Sequence, residues 1–352
     1  EGPAYWSYGT SYLVYFISSL ESTLGSDCGL SSIKGFDKIG NFPIEITGPT
    51  NKTFNYGDSG DGKLNAPQLY WLAKKFNKPQ WSWMQSKNTS VSAFDLLWYD
   101  EDYNKEPLDI PLNSMIKGNE NIAAFRSSWN DSNALYVAMK GGDNQSNHGD
   151  LDVGTFVLDA LGERWAIDLG SENYNNSGYW AMQGGRWKYY RKRAEGHNTI
   201  VVNPSLEPDQ NIFAKCKING FSENFAVLNM TDAYKDHVVY AKRGIRMFDN
   251  NKQVIIQDEI QCKRLSDIWW FMHTNAGVEI KEEGRSAILT IGDKKLKATL
   301  QSPADAVFSL MNARPLAESP NPDGNSDNSK ICKKLSILLP NTILLSIFIL
   351  VN

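Results

Sequence analysis

Residues 145–154, QSNHGDLDVG, set one of only four histidines in the chain, His148, beside Asp150 and Asp152. The polar run GGDNQSN just before it cannot be core, so the imidazole is expected within reach of solvent, where it can pass protons near neutral pH. The same residues also read as a polar turn that opens the strand VGTFVLDA. Asp168 closes RWAIDLG, and the turn ALGE folds that arm back along VGTFVLD, which would carry Asp168 towards Asp150. His197 follows in AEGHNTIVVNP, again at the mouth of a strand. Asp150, Asp168 and His197 form a hard-leaning oxygen and nitrogen set that could hold zinc or another divalent ion. Read separately, they are three strand-end polar residues.

Residues 186–198, RWKYYRKRAEGHN, carry five Arg/Lys positions and two tyrosines. One reading is a solvated loop. The other is a cationic, aromatic-lined groove wall for an acidic sugar chain, built from Arg186, Tyr189, Tyr190, Arg191 and Arg193, because a planar guanidinium fork suits carboxylate and sulfate. Tyr5, Tyr8 and Tyr12 recur at three- and four-residue spacing in the opening segment. A phenol can move a proton if nearby positive charge lowers its pKa, although most tyrosines in such a stripe are packing. His237 and His273 lie inside strand-like runs and read as structural.

The elements that must position these groups change character along the chain. Residues 4–24 have helical periodicity with an aromatic face, and Gly25 reads as a C-cap. A short strand, EITG, and a glycine-rich turn, NYGDSGDG, precede helices at 66–76 and 91–100, so residues 1–110 are mostly α. From 111 to 352, short β-branched and aromatic runs separated by turn signals predict stacked antiparallel sheets in a sandwich. The fold class is therefore α+β. Residues 313–330 read as a mobile polar loop. The tail NTILLSIFILVN is too short to span a bilayer as a helix and is expected as a final buried strand.

A net charge of −4 argues against a non-specific nucleic-acid binder. The four cysteines are widely separated and form neither a soft-metal cassette nor a disulfide scaffold. P-loop, GxGxxG, HExxH and GxSxG patterns are absent, which excludes the usual nucleotide-binding, zincin and α/β-hydrolase signatures. Asn-x-Ser/Thr triplets at Asn51, Asn88, Asn130 and Asn144 are expected by chance in a chain rich in Asn and Ser. The opening EGPAYWSYGTSYLVYF reads as a helix already under way, so a preceding N-terminal part is expected.

EGPAYWSYG, NHGDLDVGTFVLDALGERWAIDLG and YYRKRAEGHNTIVVNP, in that order, resemble the heparinase II/III-like family of polysaccharide lyases. The resemblance implies the end of an (α/α) toroid over 1–110, an antiparallel β-sandwich over 111–352, and a cleft between them. It implies cleavage of a uronic-acid-containing anionic glycan, glycosaminoglycans included, by β-elimination in the periplasm or outside the cell. The alternative is a non-catalytic glycan-binding or structural fragment. His148 matches the family's catalytic histidine, in an NHxHxD-like segment. Tyr8 is the favoured partner, with Tyr5 and Tyr12 behind it. Asp150, Asp168 and His197 match the ligands of a structural zinc-like ion. The better-known lyases have histidine two residues after the catalytic one; Asp150 stands there here, a harder ligand that would also suit calcium. The residue that neutralises the uronate carboxylate should lie in the toroid and is expected in a preceding part of the protein.

Overall fold

The structure, a computed structural model, describes residues 2–60, 62–88, 90–105 and 110–352. Glu1 of the opening phrase, Asp61 of the glycine-rich turn, Thr89 of one Asn-x-Ser/Thr triplet, and residues 106–109 before the expected domain boundary lie outside it.

The first helix, Pro3–Leu24, starts on a proline, whose missing N–H costs nothing in a first turn. It stops at Gly25, whose φ of 69° suits a residue without Cβ and whose N–H closes on the Glu21 carbonyl. Thr10, Val14 and Ile17 are buried at helical spacing. They face the helix Gln68–Phe76, where Gln68 Nε2 reaches Thr10 Oγ1 at 3.0 Å. The aromatic stripe turns outward instead, with Tyr8, Tyr12 and Phe16 more than half exposed. Short helices Pro79–Ser86 and Ala93–Trp98 complete this layer around Trp81, Leu69 and Leu72. Ser92 caps the last of them by a reciprocal bond with Asp95.

Part of EITG, expected as a strand, belongs to one helical turn, Asn41–Glu45. Pro43 fits an opening helical turn, and the strand character that remains is a single bridge between Thr47 and Thr53.

Two antiparallel sheets follow. The six-stranded one runs in chain order from Asn113–Lys117 to Glu163–Ala166, with Lys215–Cys216 joining the strand Tyr136–Asp143. Its second strand, Glu120–Arg126, is buried on both faces. Period-two alternation divides it: Ala123 and Phe125 enter the large core shared with the other sheet, while Ile122 and Ala124 meet Ile46, Phe54 and Tyr56. The sheet is therefore a middle layer. The ten-stranded sheet centres on Gln253–Thr274, paired along its length with the tail strand Lys333–Val351. Arg243 lies buried beneath it, forked onto Asp258 at 2.7 and 2.6 Å and donating to the Gly154 and Asn198 carbonyls.

The polar segment 313–330 is anchored, contrary to the sequence expectation. Asn328 accepts from Arg191 Nε at 2.9 Å, and Glu172 takes the Ser326 hydroxyl and amide. Its polarity is used against buried partners, a use that composition does not reveal. Among the described residues no helix is long and apolar enough to cross a membrane.

Candidate active site

Four segments distant in sequence meet at His148: the start of the first helix, the loop around 55–60, the loop 144–152, and the stretch 168–197. They interlock with little clearance. Gly57 has φ 66°, and a Cβ there would stand 2.8 Å from the His148 carbonyl. Gly170, also at φ 66°, would place a Cβ 2.2 Å from the Ser59 carbonyl. Both turns need glycine. His148 itself takes φ 57°, an uncommon backbone conformation for a residue with a side chain.

Asp58 is the hub. Its carboxylate faces His148 Nδ1 at 3.0 Å, Lys192 Nζ at 2.9 Å and Arg186 Nη2 at 3.2 Å, and it accepts from the Tyr179 hydroxyl. Burial alone would raise its pKa, but the two cations and the phenol pull it down to about 2. An ionised Asp58 makes His148 Nδ1 the donor and leaves Nε2 as the nitrogen able to exchange a proton with a ligand.

The His148 ring stacks on Tyr5, with centroids 3.9 Å apart and planes 24° from parallel, and meets the edge of Trp180 at 5.5 Å. The Tyr5 hydroxyl lies 2.9 Å from that of Tyr174. Tyr174 is pushed up, by burial first and then by its bond to Tyr5, so it remains a neutral phenol. Trp180 is 55% exposed. Beside His148 opens a cavity of about 210 Å³, lined among others by Gln145, Asn147, Trp180 and Trp187. The imidazole and the exposed indole border this opening, while the Tyr5 phenol, not itself one of the lining residues, stacks on the imidazole.

Tyr5 is the tyrosine at His148. Tyr8 and Tyr12 pack on each other at 5.0 Å along the exposed face of the helix, because a step of three or four residues moves them a turn further from the sheets. Of the expected groove wall, Tyr189, Tyr190 and Arg193 are buried and do not line the cavity beside His148, whereas Arg186, also buried, is among its lining residues. Arg186 serves Asp58, Asp150 and the Gly149 carbonyl; Arg193 is forked onto Asp209; Tyr189 donates to the Ser177 carbonyl; and Tyr190 pairs with His273 Nε2 at 2.7 Å. Arg191, partly buried, holds Asn328 and the Leu169 and Ser171 carbonyls. These cations face inward because remote carboxylates and carbonyls meet them there. His273 is held well below the usual histidine range by burial and by Lys334.

Asp150, Asp168 and His197 do come together. His197 Nδ1 lies 2.9 Å from Asp168, and its Nε2 is 3.7 Å from Asp150 with no hydrogen-bond partner. Burial opposes charge on His197, yet Asp168, Asp150 and Asp152 outweigh it and raise its pKa. Asp150 is not an open ligand, since Lys192 spans both its oxygens and Arg186 takes one. Among the described residues no group of three or more His, Cys, Asp or Glu has the arrangement of a metal site. As placed, the donor set does not fit a divalent ion.

Asp58, Lys192, Tyr174, Tyr179 and Trp180 were not singled out from sequence. The signal for Asp58 was its glycine-flanked place in NYGDSG, and for the aromatics their density in NYNNSGYW.

The layered fold has counterparts. The chain belongs to the heparinase II/III-like family: the family model described as Heparinase II/III-like, C-terminal, matches residues 122–327, more than half its length. The crystal structure of heparan sulfate lyase HepC from Pedobacter heparinus is similar over 99% of this chain and 51% of its own, with TM-score 0.74 and 16% identity. A crystal structure of heparinase III is similar over 96% of this chain and 51% of its own, with TM-score 0.71 and 14% identity. The chain thus spans about half the length of these structures. No curated protein sequence matches it.

Proposed function

We propose that this chain is the C-terminal part of a polysaccharide lyase that cleaves a uronic-acid-containing anionic glycan, with heparan-type chains the first candidates. The observation that carries the reading is the Tyr5–His148 pair, stacked at 3.9 Å beside an open cavity and oriented by Asp58. β-Elimination needs a base for the proton on C5 and an acid for the leaving oxygen, and in this reading the imidazole on the opening and the phenol stacked on it supply both. Asp58 holds His148 so that Nε2 is the working nitrogen. Exposed Trp180 offers a flat apolar face to a sugar ring, with the Gln145 and Asn147 side chains beside it. The helices of residues 3–98 are read as the end of the toroid. A polymeric substrate of this kind would be met in the periplasm or outside the cell, and that is the location we propose.

The test is elimination by the full-length protein on a panel of uronate glycans, followed by ultraviolet absorbance of the unsaturated product. Absorbance should appear with wild type, vanish in His148→Ala, and fall by about 100-fold or more in Tyr5→Phe, the usual scale for a proton-transfer group. Tyr8→Phe should stay near wild type. A Tyr8→Phe loss with Tyr5→Phe unaffected would reverse the assignment of the phenol. Binding without product on every glycan would replace the lyase with a glycan-binding protein.

A further inference from the structure

His197 Nε2 has no partner, but a metal at Asp150, Asp168 and His197 would also need carboxylate lone pairs that other groups already use. Lys192 Nζ stands 2.9 Å from Asp58 Oδ1, 2.9 and 3.0 Å from the two oxygens of Asp150, and 3.3 Å from the Gly170 carbonyl. Three acceptor groups match the three N–H donors of an ammonium. Arg186 adds its own bonds to Asp58 and Asp150. Asp168 is committed to His197 and to the Gly170 amide at 2.8 Å. The side chains of Asp58, Asp150, Lys192 and Arg186 are all shielded from solvent. Two fixed positive charges thus meet two carboxylates, the balance a single divalent ion would provide. An additional divalent ion would stand close to an ammonium and a guanidinium in a poorly screened interior, where like charges repel strongly.

We infer that Lys192, seconded by Arg186, is a tethered cation that takes the place of a divalent metal and ties the Asp58 loop to the Asp150 loop. Because Asp58 also holds His148 Nδ1, Lys192 is a positioning residue for the imidazole; that consequence rests on the lyase reading. The bridge itself does not.

The experiment is metal analysis of the full-length protein after equilibration with calcium, zinc and manganese salts and desalting, together with its Tm with and without EDTA. The expected result is well under one bound metal per chain and a Tm unmoved by EDTA. Lys192→Met should lower Tm by about 5–15 °C, the scale of an uncompensated buried carboxylate pair. Lys192→Arg, which keeps the charge, should lose less and serves if the Met variant does not fold. About one tightly held metal per chain, a Tm lowered by EDTA, or a Lys192→Met variant as stable as wild type would each overturn the inference. None of these readouts uses elimination activity, so failure of the lyase reading and failure of the bridge are separable.

Discussion

Replacing Asp58 by Asn keeps the shape of the side chain and removes its charge. The carboxyl is held at about 2 against an ordinary 3.8. At ~1.4 kcal/mol per pH unit, that is roughly 2–3 kcal/mol of preference for the ionised form in the folded state. The side chain is fully shielded, so little of this is lost to solvent screening. Asp58→Asn should therefore destabilise the protein by about 2–3 kcal/mol at pH 7, read from urea unfolding followed by tryptophan fluorescence. The sign sets the pH window. A lowered carboxyl pKa contributes stability that is complete above 3.8 and disappears as pH falls through about 2, so wild type and variant should converge across that range. Asn still offers His148 an oxygen, so turnover should fall less in Asp58→Asn than in Asp58→Ala. A variant within about 0.5 kcal/mol of wild type at pH 7 would refute the reasoning, because it would mean that Lys192 and Arg186 do not depend on this charge. So would a gap that persists unchanged at low pH.

Two further outcomes concern buried charge elsewhere. Glu45 is pushed up to about 7, by burial first and against the pull of Arg126. Its folded state therefore holds the proton more tightly between 4.5 and 7, and its contribution to stability falls as pH rises through that window. Glu45→Gln should gain about 1–2 kcal/mol on wild type between pH 5 and 8, discounted for partial exposure; thermal melts at the two pH values check it, and an equal gap at both refutes it. Arg243→Met leaves Asp258 buried without its fork and should cost about 3–5 kcal/mol in denaturant unfolding, whereas an effect below about 1 kcal/mol would mean that the pair is not a stabilising anchor.

Periodicity exposed the long helix, its glycine stop and the strand-rich remainder, because these depend on neighbours three, four or two positions away. It also gave the hairpin that returns Asp168 along the strand leading from Asp150, closed by Leu161 and Gly162 at φ 56° and 76°. What it could not give was the partner of a charge. RWKYYRKR reads from sequence as a solvated loop or a cationic groove wall, yet Lys192 meets Asp58 across 134 positions and Arg193 meets Asp209 across 16. The choice among Tyr5, Tyr8 and Tyr12 was equally hidden. All three share a helix face in the sequence, and only the seating of the helix on the sheets selects the first.

That seating gives the Tyr5–His148 stack a second meaning. One ring belongs to the helical layer and the other to a loop of the sheets, so the pair spans the junction of the two. A displacement of one layer against the other would change the distance between the two rings. Substitutions at the junction, such as Gly57→Ala against the His148 carbonyl, are then expected to impair turnover while leaving both cores intact. On the lyase reading proposed above, activity would then gauge how the layers are docked, and a ligand wedged between them would lower it without touching either ring.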